Sequence, residues 1–243
     1  GLALSYLTII VVINSFNLID GVDGLAASLG ILTMLVFGMY FFAVDQQAYA
    51  LMSFSMAGSL VAFLIFNHHP AKIFMGDSGS LMIGLVNAIL VIKFINVAHT
   101  PFVAVPLSSS VAIGVAILIV PLLDTLRVFS IRILNGKSPF TPDRNHVHHL
   151  LLDRGLSHAA VTFACVGINV GFILLAWFGR SIGTTYLLLI MLTIAFSGIG
   201  LLYYKKSRRI MVVAKEENGA AQLKTTSKVV TLAKEVQTAE KKN

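Results

Sequence analysis

Charge is scarce in this chain. Of its 243 residues only 12% are Asp, Glu, Lys or Arg, against about 25% in an ordinary soluble domain. Hydrophobic residues make up 56%, and the mean hydropathy is +0.85. Long apolar runs with so little charge exclude a soluble globular domain and point to a polytopic membrane protein. Cysteine is nearly absent. The one thiol, Cys165, lies in an apolar run, so no disulfide framework exists. Glutamate is missing from the first 215 residues, and the seven acidic residues before the tail are all Asp. The net charge of +7 does not by itself indicate a nucleic acid, and no nucleic-acid partner is expected. Its position along the chain matters more than its size. The chain opens on Gly1 and apolar sequence, with no initiator Met, basic n-region or cleavage site. That start is not a signal peptide. It reads as entry partway through a membrane protein, so upstream helices are expected to be missing.

A spanning helix needs about 20 apolar residues. Seven candidate spans follow: 1–14, 25–43, 48–67, 80–98, 103–126, 159–179 and 184–204. The fifth is expected to continue to about residue 134, since "DTLRVFSIRIL" stays amphipathic. The expected fold is an all-α polytopic membrane helix bundle of about seven spans (residues 1–204), followed by a polar tail (205–243). In the tail, Val229, Leu232, Ala233 and Val236 have helical spacing, so a weak interfacial helix and disorder are the two expectations there.

Threading these spans alternates the loops between two sides. Residues 14–24, 68–79, 127–158 and the tail share one side. Near the membrane that side holds Lys72, Arg127, Arg132, Lys137, Arg144, Arg154, Lys205, Lys206, Arg208 and Arg209, while the other holds only Arg180. The positive-inside rule makes the first side cytoplasmic. All pre-tail Asp residues but Asp45, and all His residues but His99, also fall there. Three loops distant in sequence thus bring carboxylates, imidazoles and cations to one face, which suggests an active site at the cytoplasmic membrane surface. Lys93 sits inside a span toward its outer end, where snorkelling accounts for it.

Each loop carries its own chemistry. In "NSFNLIDGVDGLAAS", Asn14, Asn17, Asp20 and Asp23 recur every third residue, interrupted by Gly21 and Gly24. Four oxygen-bearing side chains suit a hard cation or its coordinated phosphates. The bland alternative is a helix break with Asn or Asp capping the next helix. In "KIFMGDSGSL", Asp77 lies between two glycines just before a span, and caps the helix or binds a metal that bridges phosphates. In "NGKSPFTPDRNHVHHLLLDRG", Asp143, Arg144, His146, His148 and His149 crowd together after two prolines. Arg144 can fork onto a phosphate and the histidines can donate to its oxygens. A structural zinc is disfavoured, because there is no HExxH and the only Cys lies in a span. Asp124, in "PLLDTLR", has Arg127 or Lys137 as an ion-pair partner within reach.

In this order and between spans, "NSFNLIDGVDGLA", "FMGDSGS" and "SPFTPDRNHVHHLLLDRG" resemble the polyprenyl-phosphate N-acetylhexosamine-1-phosphate transferases, a glycosyltransferase family 4 type. The Pro-Asp-Arg-x-His-x-His-His form looks like the branch that moves GlcNAc-1-phosphate onto undecaprenyl phosphate. The resemblance covers most of residues 1–204 and implies a multi-pass enzyme of the bacterial cytoplasmic membrane. A lipid phosphate would attack the β-phosphate of a UDP-N-acetylhexosamine, UMP would leave, and a polyprenyl diphospho-sugar would remain in the bilayer.

The resemblance also implies residue roles. Asp77 and Asn17 match the metal-binding pair for Mg²⁺, with Mn²⁺ as the alternative ion. Asn14, Asp20 and Asp23 match residues lining the nucleotide and metal cleft. Arg144, His146, His148 and His149 match the loop that holds the diphosphate and positions the sugar nucleotide. Asp20, Asp23, Asp77 and His146 form the expected catalytic set. A homodimer is an admissible assembly. The family's acidic pair upstream of the first motif precedes Gly1, so this chain alone is expected to be inactive. GalNAc or QuiNAc as donor sugar would need only small pocket changes. The product would begin O-antigen, teichoic acid or another surface polymer. Two alternatives stand beside this reading: the sister transferase using UDP-MurNAc-pentapeptide, which tends to lack the Asp-Arg pair, and a transporter, whose polar site should lie at the bilayer midplane instead.

Overall fold

Apolar segments this long have to satisfy every backbone N–H and C=O internally, and a helix does that within one segment. A computed structural model describes residues 1–134, 136, 138, 151–152, 155–204, 211–215 and 221–225. The first unit, Gly1–Leu202, is helical. Its elements are α1 (Leu2–Ile19), α2 (Leu25–Ala43), α3 (Gln47–Asn67), α4 (Gly76–Ala98), α5 (Ser110–Ile117), α6 (Ile119–Leu134), α7 (His158–Phe178) and α8 (Thr184–Tyr204). Six of these are long and apolar enough to span a bilayer, and α5 with α6 makes a seventh, bent span. The expected multi-pass helix bundle is therefore what the chain forms. The second unit begins at Tyr203. Its described part is an antiparallel ribbon, β1 (Met211–Lys215) paired with β2 (Ala221–Thr225). Neither tail expectation included these strands, and the helical spacing at 229–236 lies outside the described residues.

Small residues set the closest packing. α1 lies against α4 and α2 against α3. A Cβ on Gly84 of α4 would come within 2.6 Å of the Ile13 Cα on α1, so the two backbones approach where no side chain fits. A Cβ on Gly38 would meet the Phe54 ring at 2.8 Å. Phe16, Phe37, Phe41 and Phe94 are fully buried, with the Phe37 and Phe94 rings 5.6 Å apart. Large apolar side chains such as Leu7, Leu51, Ile65, Phe163 and Phe178 stay exposed on the outside, as a lipid-facing surface requires.

Two helices depart from their sequence-based bounds. The first span was expected to stop at residue 14, yet α1 runs to Ile19. Asn14 Nδ2 donates to the Ile10 carbonyl at 2.7 Å and Ser15 Oγ to Val11 at 2.7 Å. Polar side chains that bond back to their own helix need not end it. The fifth span does reach Leu134, but it turns by 79° at Leu118. Pro121 explains the turn. It has no N–H for the Ile117 carbonyl four residues back. Asn169 of α7, fully buried, takes up the slack. Its Nδ2 donates to the Ile117 carbonyl at 2.9 Å, and its Oδ1 accepts the Val120 N–H at 3.2 Å. One amide on a neighbouring helix thus satisfies both backbone groups released at the break.

Candidate active site

Three junctions meet at one end of the bundle. The α1–α2 turn (20–24) touches the α3–α4 loop (68–75) and the start of α7. The Gly24 N–H donates to Asn67 Oδ1 at 2.9 Å, and Asn67 Nδ2 donates to the Ile73 carbonyl at 2.9 Å. Thr162 Oγ1 donates to the Asp23 carbonyl at 3.1 Å. Gly24 itself is the α2 N-cap with φ +74°, where an L side chain would be strained. No side chain caps α2, so the Asn and Asp residues before it are not there as caps.

Across this end, Asn17 and Asp77 come together. The last turn of α1 places Asn17 against the first turn of α4. Its Nδ2 donates to Asp77 Oδ1 at 3.1 Å and reaches Ser80 Oγ at 3.0 Å. Ser80, fully buried, donates in turn to the Gly76 or Asp77 carbonyl, each at 3.2 Å. Asp77 is exposed and does not cap α4, whose N-cap is Met75 without a side-chain bond. Of the two sequence-level roles for Asp77, capping is thus not the one seen. Asp20 lies close by. Its burial, with the negative charge of Asp77 added, pushes its carboxyl up to about 6. A carboxylate pair in mutual repulsion beside an amide is a hard-oxygen donor set, which fits Mg²⁺.

Asp23 faces another way. Its Oδ2 lies 2.7 Å from His69 Nδ1 and 3.5 Å from His158 Nδ1. The Ala71 N–H reaches the same oxygen at 3.4 Å. The two imidazoles stack, with centroids 4.7 Å apart. Burial works to raise the Asp23 pKa. The hydrogen bonds from His69 and Ala71 and the nearby imidazoles outweigh it and hold the carboxyl below its ordinary value. Asp23 also lines a cavity of about 190 Å³ with His68 and Thr162.

The structure therefore joins Asn17, Asp20 and Asp77 and sets Asp23 in the same turn. Asn14 is not in these hydrogen bonds, since it bonds back along α1. Arg144, His146, His148 and His149 lie outside the described residues. His69 and His158 were not singled out from the sequence. Their signal was position only: both flank spans on the basic face. Asp124 does pair with Arg127, at 3.8 Å and deeply buried. Lys93 Nζ sits 4.9 Å from the Tyr49 ring near the start of α3, which gives its outward reach a partner.

An apolar cavity of about 520 Å³ opens among α1, α2, α6, α7 and α8, reaching Ile19, the residue before Asp20. Ile19, Leu123, Cys165, Phe172 and Ala195 line it, with Asp124 in its wall.

Residues 1–95 match the model of glycosyl transferase family 4. The matched stretch contains both halves of the Asn17–Asp77 contact. Named relatives extend the match. A probable undecaprenyl-phosphate N-acetylglucosaminyl 1-phosphate transferase of Bacillus subtilis is 38% identical over 155 residues, 64% of this chain and 41% of the relative. A decaprenyl-phosphate N-acetylglucosaminephosphotransferase of Mycolicibacterium smegmatis is 40% identical over 159 residues, 60% of this chain and 39% of the relative. An undecaprenyl-phosphate alpha-N-acetylglucosaminyl 1-phosphate transferase of Escherichia coli K12 is 30% identical over 181 residues, 69% of this chain and 47% of the relative. The chain spans less than half the length of each of these relatives.

Proposed function

We propose that the intact protein transfers GlcNAc-1-phosphate from UDP-GlcNAc to a polyprenyl phosphate, with undecaprenyl phosphate as the lipid. UMP is released, and the lipid-linked sugar diphosphate stays in the bilayer. The observation that carries this reading is the Asn17–Asp77 contact beside Asp20, at the bundle end where the α1–α2 turn meets the α3–α4 loop. The names of its relatives support the lipid and the sugar.

Phosphoryl transfer between two anions needs charge neutralisation and in-line alignment more than covalent help from the protein. Asp77 and the Asn17 amide oxygen would hold Mg²⁺. The ion would offset charge on the diphosphate and polarise the attacked phosphorus. Ser80 keeps Asn17 oriented, and Asp20 supplies a second carboxylate whose charge settles once a cation arrives. Arg144, His146, His148 and His149 are assigned to the diphosphate on residue chemistry alone. The cavity that reaches Ile19 suits an apolar polyprenyl chain entering from the membrane, with its phosphate toward the carboxylates. The excess of Lys and Arg in the loop sequences on this side supports a cytoplasmic site at a bacterial inner membrane.

A panel of radiolabelled UDP-sugars with undecaprenyl phosphate, Mg²⁺ and the intact protein in membranes tests this. Labelled lipid from UDP-GlcNAc, and little from UDP-MurNAc-pentapeptide, is expected. Labelling by the pentapeptide donor instead would move the protein to the sister branch.

A further inference from the structure

Asp23, His69 and His158 converge from three separate segments. One ligand atom from each lies within 4.8 Å of the others. We propose that this trio is a second divalent-metal site, distinct from the Asn17–Asp77 pair and selective for a late first-row ion such as Zn²⁺.

The donor chemistry argues for it. Two imidazoles and one carboxylate form a three-ligand set that leaves positions open for water or an anion. Mg²⁺ prefers oxygen ligands alone, which the Asn17–Asp77 pair offers and this trio does not. The geometry is close to a bound state. Ligand atoms around tetrahedral zinc lie roughly 3.3 Å apart, given bonds of about 2.0–2.2 Å. The Asp23–His158 edge, at 3.5 Å, already matches. The Asp23–His69 edge, at 2.7 Å, is a hydrogen bond that must open by about half an ångström.

The supports are those a metal site uses. The Ala71 N–H holds the ligating oxygen at 3.4 Å, and Thr162 fixes the Asp23 backbone. Carboxylates and histidines held by such outer contacts are pre-oriented for a metal. The Asp23 N–H donates to His158 Nδ1 at 3.5 Å, so this nitrogen carries its lone pair on the cluster side and would exchange that long bond for the metal. His69 is exposed and His158 half-buried, so an ion has a route in from solvent. A metal here would tie the first turn, the α3–α4 loop and α7 into one unit beside the reacting groups.

Co²⁺ serves as the probe, because its visible absorption reports nitrogen and oxygen ligation. The purified protein in detergent should bind one Co²⁺ at this site. Zn²⁺ should displace it, and excess Mg²⁺ should not. His69→Gln and His158→Gln should each weaken binding by roughly 10-fold to 100-fold, at least what losing a supporting residue costs. Asp77→Asn and the triple variant H146Q/H148Q/H149Q should keep the signal. Zn²⁺ should also raise the Tm of the parent protein but not of the His69 and His158 variants. Absence of stoichiometric Co²⁺ in the parent protein would overturn the proposal, as would binding that survives H69Q/H158Q together. These readouts need no turnover, so they stand apart from the transferase reading.

Discussion

Asn17 donates to Asp77 Oδ1 at 3.1 Å across sixty residues of sequence. The contact ties the end of α1 to the start of α4. Ser80 completes it by meeting the same amide nitrogen at 3.0 Å. Ser80 is a positioning residue in this arrangement. Ser80→Ala should raise the Mg²⁺ concentration for half-maximal turnover roughly 10-fold, the scale of losing a group that orients a ligand. Saturating Mg²⁺ should restore most of kcat. A Mg²⁺ titration of initial rates reads this directly, and an unchanged half-saturation would remove Ser80 from the role.

Asp20 predicts a pH dependence. Its carboxyl ionises near 3.8 when unperturbed and near 6 in the fold. Between those values the unfolded chain holds fewer protons, so rising pH favours unfolding. The stability is full below 3.8 and is lost as the pH climbs through about 6. Melting in detergent across this window should show Tm falling with pH. Asp20→Asn should flatten the slope. Mg²⁺ at the neighbouring Asp77 should flatten it too, by favouring the ionised form.

Gly84 predicts a packing effect that reaches the site. A Cβ there would stand 2.6 Å from the Ile13 Cα and 3.0 Å from its carbonyl oxygen, both backbone atoms that cannot rotate away. Gly84→Ala should cost about 1–3 kcal/mol, as overpacked cores do. It should also loosen the Asn17–Asp77 contact, one helical turn from Ile13 along α1 and about two turns from Gly84 along α4. Gly58→Ala, where nothing lies within 4 Å, is the matched control and should leave the Tm within a degree or two of the parent. Equal melting of both variants would contradict the close α1–α4 approach.

Asn169 predicts a stability defect far from the chemistry. Asn169→Leu keeps the volume but abandons the Ile117 carbonyl and the Val120 N–H. Leaving buried backbone groups unpaired should cost about 2 kcal/mol. Asn169→Gln should recover part of it. The bend at Leu118 sets the course of α6, whose Leu123 and Asp124 line the apolar cavity, so the leucine variant should lose turnover as well as Tm.

Much of this was legible in the sequence because lipid leaves few choices. Apolar runs gave the spans, and counting Lys and Arg in the connecting loops put Asn17, Asp20 and Asp77 on one face before their contact was seen. Contact between particular side chains was less legible. Asp23, His69 and His158 come from loops more than forty residues apart, and no local period links them. Pro121 was visible, yet whether a proline bends a helix depends on what receives the released carbonyl. Here that was Asn169, on another helix. The end of α1 was misplaced because asparagine reads as a break, while in place Asn14 bonds back to its own helix.

The proposed transfer of the phospho-sugar depends on Asp77, held by Asn17, binding Mg²⁺. The most direct measurement is UMP release by the intact protein in membranes, with UDP-GlcNAc and undecaprenyl phosphate, for the parent and Asp77→Asn. The variant should keep its helical content and Tm and lose at least about 10³-fold in kcat, as removal of a key electrostatic group does. A folded Asp77→Asn protein that turns over at the parent rate, with the same dependence on Mg²⁺, would contradict it.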